Sequence, residues 1–205
     1  MLAGMGHVEA YWYLGDYYER QGSRQKAFNC YLKGARKGDD NCQCTVGEMY
    51  RDGEVAQRDP YCEPARAESK RPRGEPMPYG DFSHAQEWFA KAAEQGNVLA
   101  MAWLGQLHLS DKDPVSAAPW LLKNADHGGV VSQLHVAGMF RKGEGVPKDL
   151  VSAYMWANLA AAQVDHLSIS EQAASIRNEV EGQMTPAQVA EAQRLSREWK
   201  PKPGK

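Results

Sequence analysis

Long apolar runs, net charge and cysteine are all scarce in this 205-residue chain, and each scarcity narrows what it can be. Mean hydropathy is −0.63, and no apolar run approaches the roughly 18 residues that a membrane-spanning helix needs. Lys and Arg number 24 against 26 Asp and Glu, so the net charge is only −2. No global field therefore draws nucleic acid or an anionic membrane surface. The first ten residues lack both a basic stretch and an apolar stretch, so they do not read as a signal peptide. That favours a cytoplasmic protein, with a periplasmic one open if an upstream segment was removed.

Cys30, Cys42, Cys44 and Cys62 are the four cysteines, and all lie in the first third. Two disulfides are arithmetically open, with three connectivities. Free, partly buried thiols are the favoured reading, because the four do not recur at equivalent positions of the pattern described below. A zinc site fits poorly. Structural zinc takes Cys-x2–4-Cys pairs, whereas Cys42-Gln43-Cys44 on one helix aims its two thiols about 100° apart. The histidines His7, His84, His108, His127, His135 and His166 are scattered. Gly143-Glu144-Gly145 has no strand before it and so is no phosphate loop. A Gly-x-Ser-x-Gly elbow is absent as well. No cofactor, metal or catalytic residue is expected.

What the chain does have is repetition. A pattern small-x3-[Leu/Val]-[Gly/Ala]-x2-[aromatic/His] occurs four times. Its copies are Ala10-Leu14-Gly15-Tyr18, Cys42-Val46-Gly47-Tyr50, Ala100-Leu104-Gly105-His108 and Ser132-Val136-Ala137-Phe140. The spacing i, i+4, i+5, i+8 marks one buried helix face. A second pattern, Ala-x2-[large]-x4-Ala-x2-Gly, follows each copy as Ala27-Cys30-Ala35-Gly38, Ala85-Trp88-Ala93-Gly96, Ala117-Trp120-Ala125-Gly128 and Ala153-Trp156-Ala161-Val164. The small residues allow close helix approach, the large ones are expected to fill gaps between neighbouring hairpins, and glycine suits a left-handed helix end. A fixed register of helix pairs implies a solenoid, which presents a surface rather than a reaction pocket.

The expected boundaries are repeats at 7–38, 39–96, 97–128 and 129–164, a helical cap at 165–200, and a disordered tail at 201–205. Gly6 stands in the register of Gly38, Gly96 and Gly128, so residues 1–6 read as the end of an earlier repeat. The second copy carries an insert at about 60–81. It holds Pro60, Pro64, Pro72, Pro76 and Pro78, which exclude a helix. Thr185-Pro186 reads as an N-cap and first helical residue, opening a last helix through Val189, Ala192, Leu195 and Trp199.

Several of these stretches resemble the Sel1-like repeat family, relatives of the tetratricopeptide repeats. They are Gly143-Glu144-Gly145-Val146-Pro147-Lys148-Asp149 with Ala153-Tyr154-Met155-Trp156, and Lys91-Ala92-Ala93-Glu94-Gln95-Gly96. The closing Met184-Thr185-Pro186-Ala187-Gln188 with Glu191-Ala192-Gln193-Arg194-Leu195 looks like the end common in bacterial members. The resemblance covers roughly 7–199, the proline-rich insert excepted. It implies an all-α, right-handed superhelical α/α solenoid of four antiparallel helix pairs plus a C-terminal capping pair. It further implies a non-enzymatic scaffold or adaptor whose first helices line the concave side.

On that reading, positions +2, +6 and +9 from each small residue share a stripe on the first helix. The stripe offers Trp12, Asp16, Glu19, Glu48, Arg51, Gln106 and Arg141 as a groove for a protein or peptide. Trp and Arg are the residue types that most often dominate interface energy. The rival readings are weaker. A hydrolase or metal enzyme would have to use the Cys and His residues just described. Nucleic-acid binding would rest on Lys70-Arg71-Pro72-Arg73 alone, a run too short to make a basic stripe. No membrane insertion is expected, and a monomer is favoured.

Overall fold

A computed structural model describes residues 8–53, 82–163 and 167–204. Among them are ten helices and no strand. The insert at 60–81, Cys62, Gly6, His7, His166 and Val164 lie outside the described residues. The chain divides into two compact units, Met1–Asn97 and Val98–Lys205.

The first unit holds α1 (Ala10–Arg20), α2 (Arg24–Arg36), α3 (Asp40–Arg51) and α4 (Phe82–Glu94). Each packs on the next. The sequence pattern explains why they sit so close. A Cβ on Gly15 would enter the ring of Tyr31, and one on Gly47 would lie 2.8 Å from the Phe89 ring. Ala27 and Ala85 are fully buried beneath the same contacts. The backbone of each first helix thus rests directly on a large side chain of its partner.

The second unit repeats the scheme with α5 (Val98–Ser110), α6 (Pro114–Asp126), α7 (Val130–Lys142) and α8 (Leu150–Ala161). A Cβ on Gly105 would lie 2.7 Å from Cγ and Cδ2 of Leu121. In the fourth copy both sides change: Ala137 replaces the glycine, and the position of Tyr31, Phe89 and Leu121 holds Ala157. Ala137 and Ala157 are fully buried in one core cluster, so the added methyl is matched by a lost side chain. The helices α9 (Leu167–Glu181) and α10 (Pro186–Glu198) then pack on α8, burying Val180 and Ala192 with Tyr154. Thr185 caps α10 with a full capping box to Gln188, satisfying backbone donors that the helix start leaves open.

The residues expected to fill gaps between neighbouring hairpins, Cys30, Trp88, Trp120 and Trp156, are not equivalent. Inside the first three hairpins the space against glycine is filled one position later, by Tyr31, Phe89 and Leu121. Trp88 and Trp120 remain half-exposed, each with a lysine ammonium (Lys91, Lys123) 4.4 Å from its ring centre. Only Trp156 is buried, edge-on to Trp199. A side chain one residue further along a helix turns by about 100°, enough to exchange a buried direction for a half-exposed one.

The turns between repeats are closed by a shared device. Gly38, Gly96 and Gly128 have φ of +93°, +98° and +93°, a conformation that glycine adopts without steric cost. Asp39, Asn97 and Gly129 then donate their amides back to Gly34, Ala92 and Asn124. Buried glutamines reinforce two of these junctions. Gln43 Nε2 donates to the Ala35 carbonyl at 3.1 Å, and Gln133 Nε2 donates to the Ala125 carbonyl at 3.3 Å. Each ties the end of a second helix to the first helix that follows.

Candidate protein-binding surface

Trp12, Asp16 and Glu19 follow one another along α1, as their spacing requires. Trp12 is half-buried and meets Tyr13 edge-on, with ring centres 5.4 Å apart. Both line an open cleft of about 130 Å³ with Glu9, Asp39, Asp40 and Asn41. Asp16 pairs with Arg20 at 3.0 Å on the same helix. Glu19 accepts a 2.9 Å hydrogen bond from the Tyr31 hydroxyl. Burial, and then that bond to a carboxylate, push the Tyr31 phenol well above its ordinary range. Glu19 is therefore both a surface carboxylate and a tether between α1 and α2.

On α3, Glu48 is half-buried and Arg51 grips Asp52 through two bonds of 2.7 and 2.9 Å. That bond holds the Asp52 carboxyl below the usual carboxylate range. Cys44, at the first stripe position of this copy, is 4 % exposed and belongs to the core. The first unit thus presents an aromatic and two carboxylates from α1, and a carboxylate and a guanidinium from α3.

In the second unit Gln106 is exposed on α5. Arg141 on α7 is half-buried and forms an ion pair with Glu179 of α9. Gly138, one turn earlier, has nothing within 4 Å of where a Cβ would stand. The capping helix α9 therefore engages the far end of the α7 stripe and leaves its middle open. Sequence reasoning missed this pairing because Glu179 belongs to no repeat.

The three described cysteines carry the features of packing residues. Cys30, Cys42 and Cys44 are free thiols. Burial pushes the Cys44 thiol up to about 12 and raises Cys42 and Cys30 as well, so the reactive thiolate is disfavoured. Burial likewise lowers the His135 imidazole. Among the described residues no group of three or more His, Cys, Asp or Glu could hold a metal ion, and no helix is long and apolar enough to cross a membrane.

The Sel1 repeat family matches this chain over residues 8–39, 73–97 and 130–165. No curated protein matches it by sequence. Among solved structures it is similar to c5321, a protective antigen present in uropathogenic Escherichia coli strains that displays an SLR fold. Identity is 27%, the TM-score is 0.54, and the match covers 96% of this chain and 46% of that one. The chain thus spans about half the length of that protein. A Sel1 repeat protein from Oxalobacter formigenes shares the fold at 18% identity and a TM-score of 0.59, over 89% of this chain and 76% of that one. Sel1 repeat proteins are in general non-enzymatic interaction scaffolds. With the repeat matched at three segments and the helix-pair fold of SLR proteins, the chain resembles the Sel1-like repeat proteins.

Proposed function

We propose that this protein is a scaffold or adaptor that binds a protein or peptide through the +2, +6, +9 stripe of its first helices, the stripe expected to line the concave side. In the first unit the contacting residues are Trp12, Asp16, Glu19, Glu48 and Arg51; in the second they are Gln106 and Arg141. The observation that carries this reading is the Trp12 cleft. There a half-buried indole and Tyr13 stand among carboxylates, rigid aromatic side chains of the type that anchors interfaces. The arginines at +9 supply planar donors suited to a partner's carboxylates. Both already hold a carboxylate of this chain, so a partner would exchange one partly buried ion pair for another.

The test is charge reversal. Arg51→Glu with Arg141→Glu is expected to reduce capture of the partner at least tenfold while the helical circular dichroism is unchanged. Undiminished capture by the folded double variant would show that the stripe is not the binding surface.

A further inference from the structure

The tail at 201–205 reads as disordered from its Lys, Pro and Gly content, yet residues 201–204 lie along the end of α6 and its turn into α7. Lys202 donates its amide to the Asp126 carbonyl at 2.8 Å. Its ammonium meets the Asp126 carboxylate at 2.6 Å. His127, with its proton on Nδ1, donates to the Lys202 carbonyl at 3.1 Å. Pro201 sits over Gly128, whose missing side chain would stand 3.6 Å from the proline ring, and Gly204 runs against Val98. The segment is extended by its own chemistry. Trp199 already has φ −64° and ψ 138°. Pro201 and Pro203 fix their own φ, and each pushes the lysine before it toward the same extended region.

This is how an extended peptide is read: one backbone–backbone bond, one imidazole bond to a backbone carbonyl, one charged side chain, one proline on a flat glycine. The receiving residues are also distinctive. In the same register the other described turns hold Arg36-Lys37-Gly38 and Glu94-Gln95-Gly96, and Gln95 is already bonded to Gln43. Only the turn at Asp126-His127-Gly128 combines a carboxylate, an imidazole donor and a bare glycine. Every contact of the tail is at the surface, and residues 201–204 are exposed throughout. The tail stays seated largely because it is tethered, at an effective concentration on the order of millimolar.

We propose that the edge formed by Asp126, His127 and Gly128 is a docking site for an extended Pro-Lys-Pro segment of a partner protein, and that the protein's own tail is a displaceable stand-in for it. A partner segment must compete with the tethered tail, so the wild-type protein binds it weakly. The site is separate from the first-helix stripe and stands or falls without it.

The test uses the full chain and a fluorescent peptide, Trp-Lys-Pro-Lys-Pro-Gly-Lys, followed by anisotropy. Lys202→Glu sets the tail's side chain against Asp126 and vacates the site, so this variant is expected to bind the peptide roughly tenfold more tightly than wild type. Asp126→Lys is expected to abolish binding, and raised salt to weaken it. The same peptide with both prolines replaced by alanine is expected to bind more weakly than the original. Circular dichroism melting checks that each variant is folded, which the exposure of Lys202 and the half-exposure of Asp126 favour. The proposal is overturned if Lys202→Glu binds no better than wild type, if no variant binds, or if Asp126→Lys binds as well as Lys202→Glu.

Discussion

Gly105 and Gly138 are both glycines inside first helices, and the structure predicts opposite outcomes for the same substitution. A Cβ at Gly105 would stand 2.7 Å from two carbons of Leu121, a side chain that is 1 % exposed. Carbon atoms prefer about 3.5–4.0 Å, so close to 1 Å must be relieved by moving α5 or Leu121. Overpacking of this kind costs about 1–3 kcal/mol. Alanine recovers about 1 kcal/mol of helix propensity, leaving Gly105→Ala destabilised by about 1 kcal/mol. Gly105→Leu adds volume in the same place and is expected to cost about 3 kcal/mol. A Cβ at Gly138 meets nothing within 4 Å, so Gly138→Ala keeps only the propensity gain, about 1 kcal/mol of stabilisation. For a chain of this size each kcal/mol moves the melting temperature by about 2–4 °C. Melting at 222 nm should therefore fall for Gly105→Ala and rise for Gly138→Ala. The fourth repeat suggests a further control. Since Ala137 faces Ala157's position there, Gly105→Ala in a Leu121→Ala background should cost less than the two single changes combined. A rise in melting temperature for Gly105→Ala would refute the close-contact argument and the repeat register behind it.

Three other outcomes follow from the same geometry. Lys112 has φ +59° at the register position where the first repeat has Gly22 at +70°, so Lys112→Gly should stabilise by about 1 kcal/mol in thermal melting. Thr185→Ala removes the capping box of α10 and should cost about 1 kcal/mol, seen as a lower urea midpoint. The Cys44 thiol is raised from 9.0 to about 12, so the fold favours its neutral form. That contribution is complete below pH 9 and lost as pH rises toward 12, because the unfolded thiol ionises first. Urea midpoints measured between pH 8 and 11 should fall more steeply for wild type than for Cys44→Ala.

The helix pairs were legible because close packing leaves a mark on composition. A backbone that rests on a neighbour tolerates only glycine or alanine, and Gly15, Gly47, Gly105 and Ala137 recur for that reason. The start of α10 was legible through a local rule, the Thr-Pro pair, that needs no tertiary information. What escaped was tertiary. The half-exposed tryptophans differ from the buried Tyr31, Phe89 and Leu121 by a single helical step, which composition does not resolve. The bond from Tyr31 to Glu19 and the Arg141–Glu179 pair join residues whose partners no pattern announces. The tail at 201–204 looked unstructured because its anchors, Asp126 and His127, lie more than seventy residues away.

The central claim is that partners bind the first helices. It is tested most directly by placing a photocrosslinking amino acid at Asp16 and at Gln106, and in parallel at Lys33 and Glu87 on second helices, where both are exposed. After irradiation in the source cells, the account predicts adducts of one discrete mass from positions 16 and 106 and none from 33 and 87. Adducts from the second-helix positions alone, or equally from all four, would contradict it.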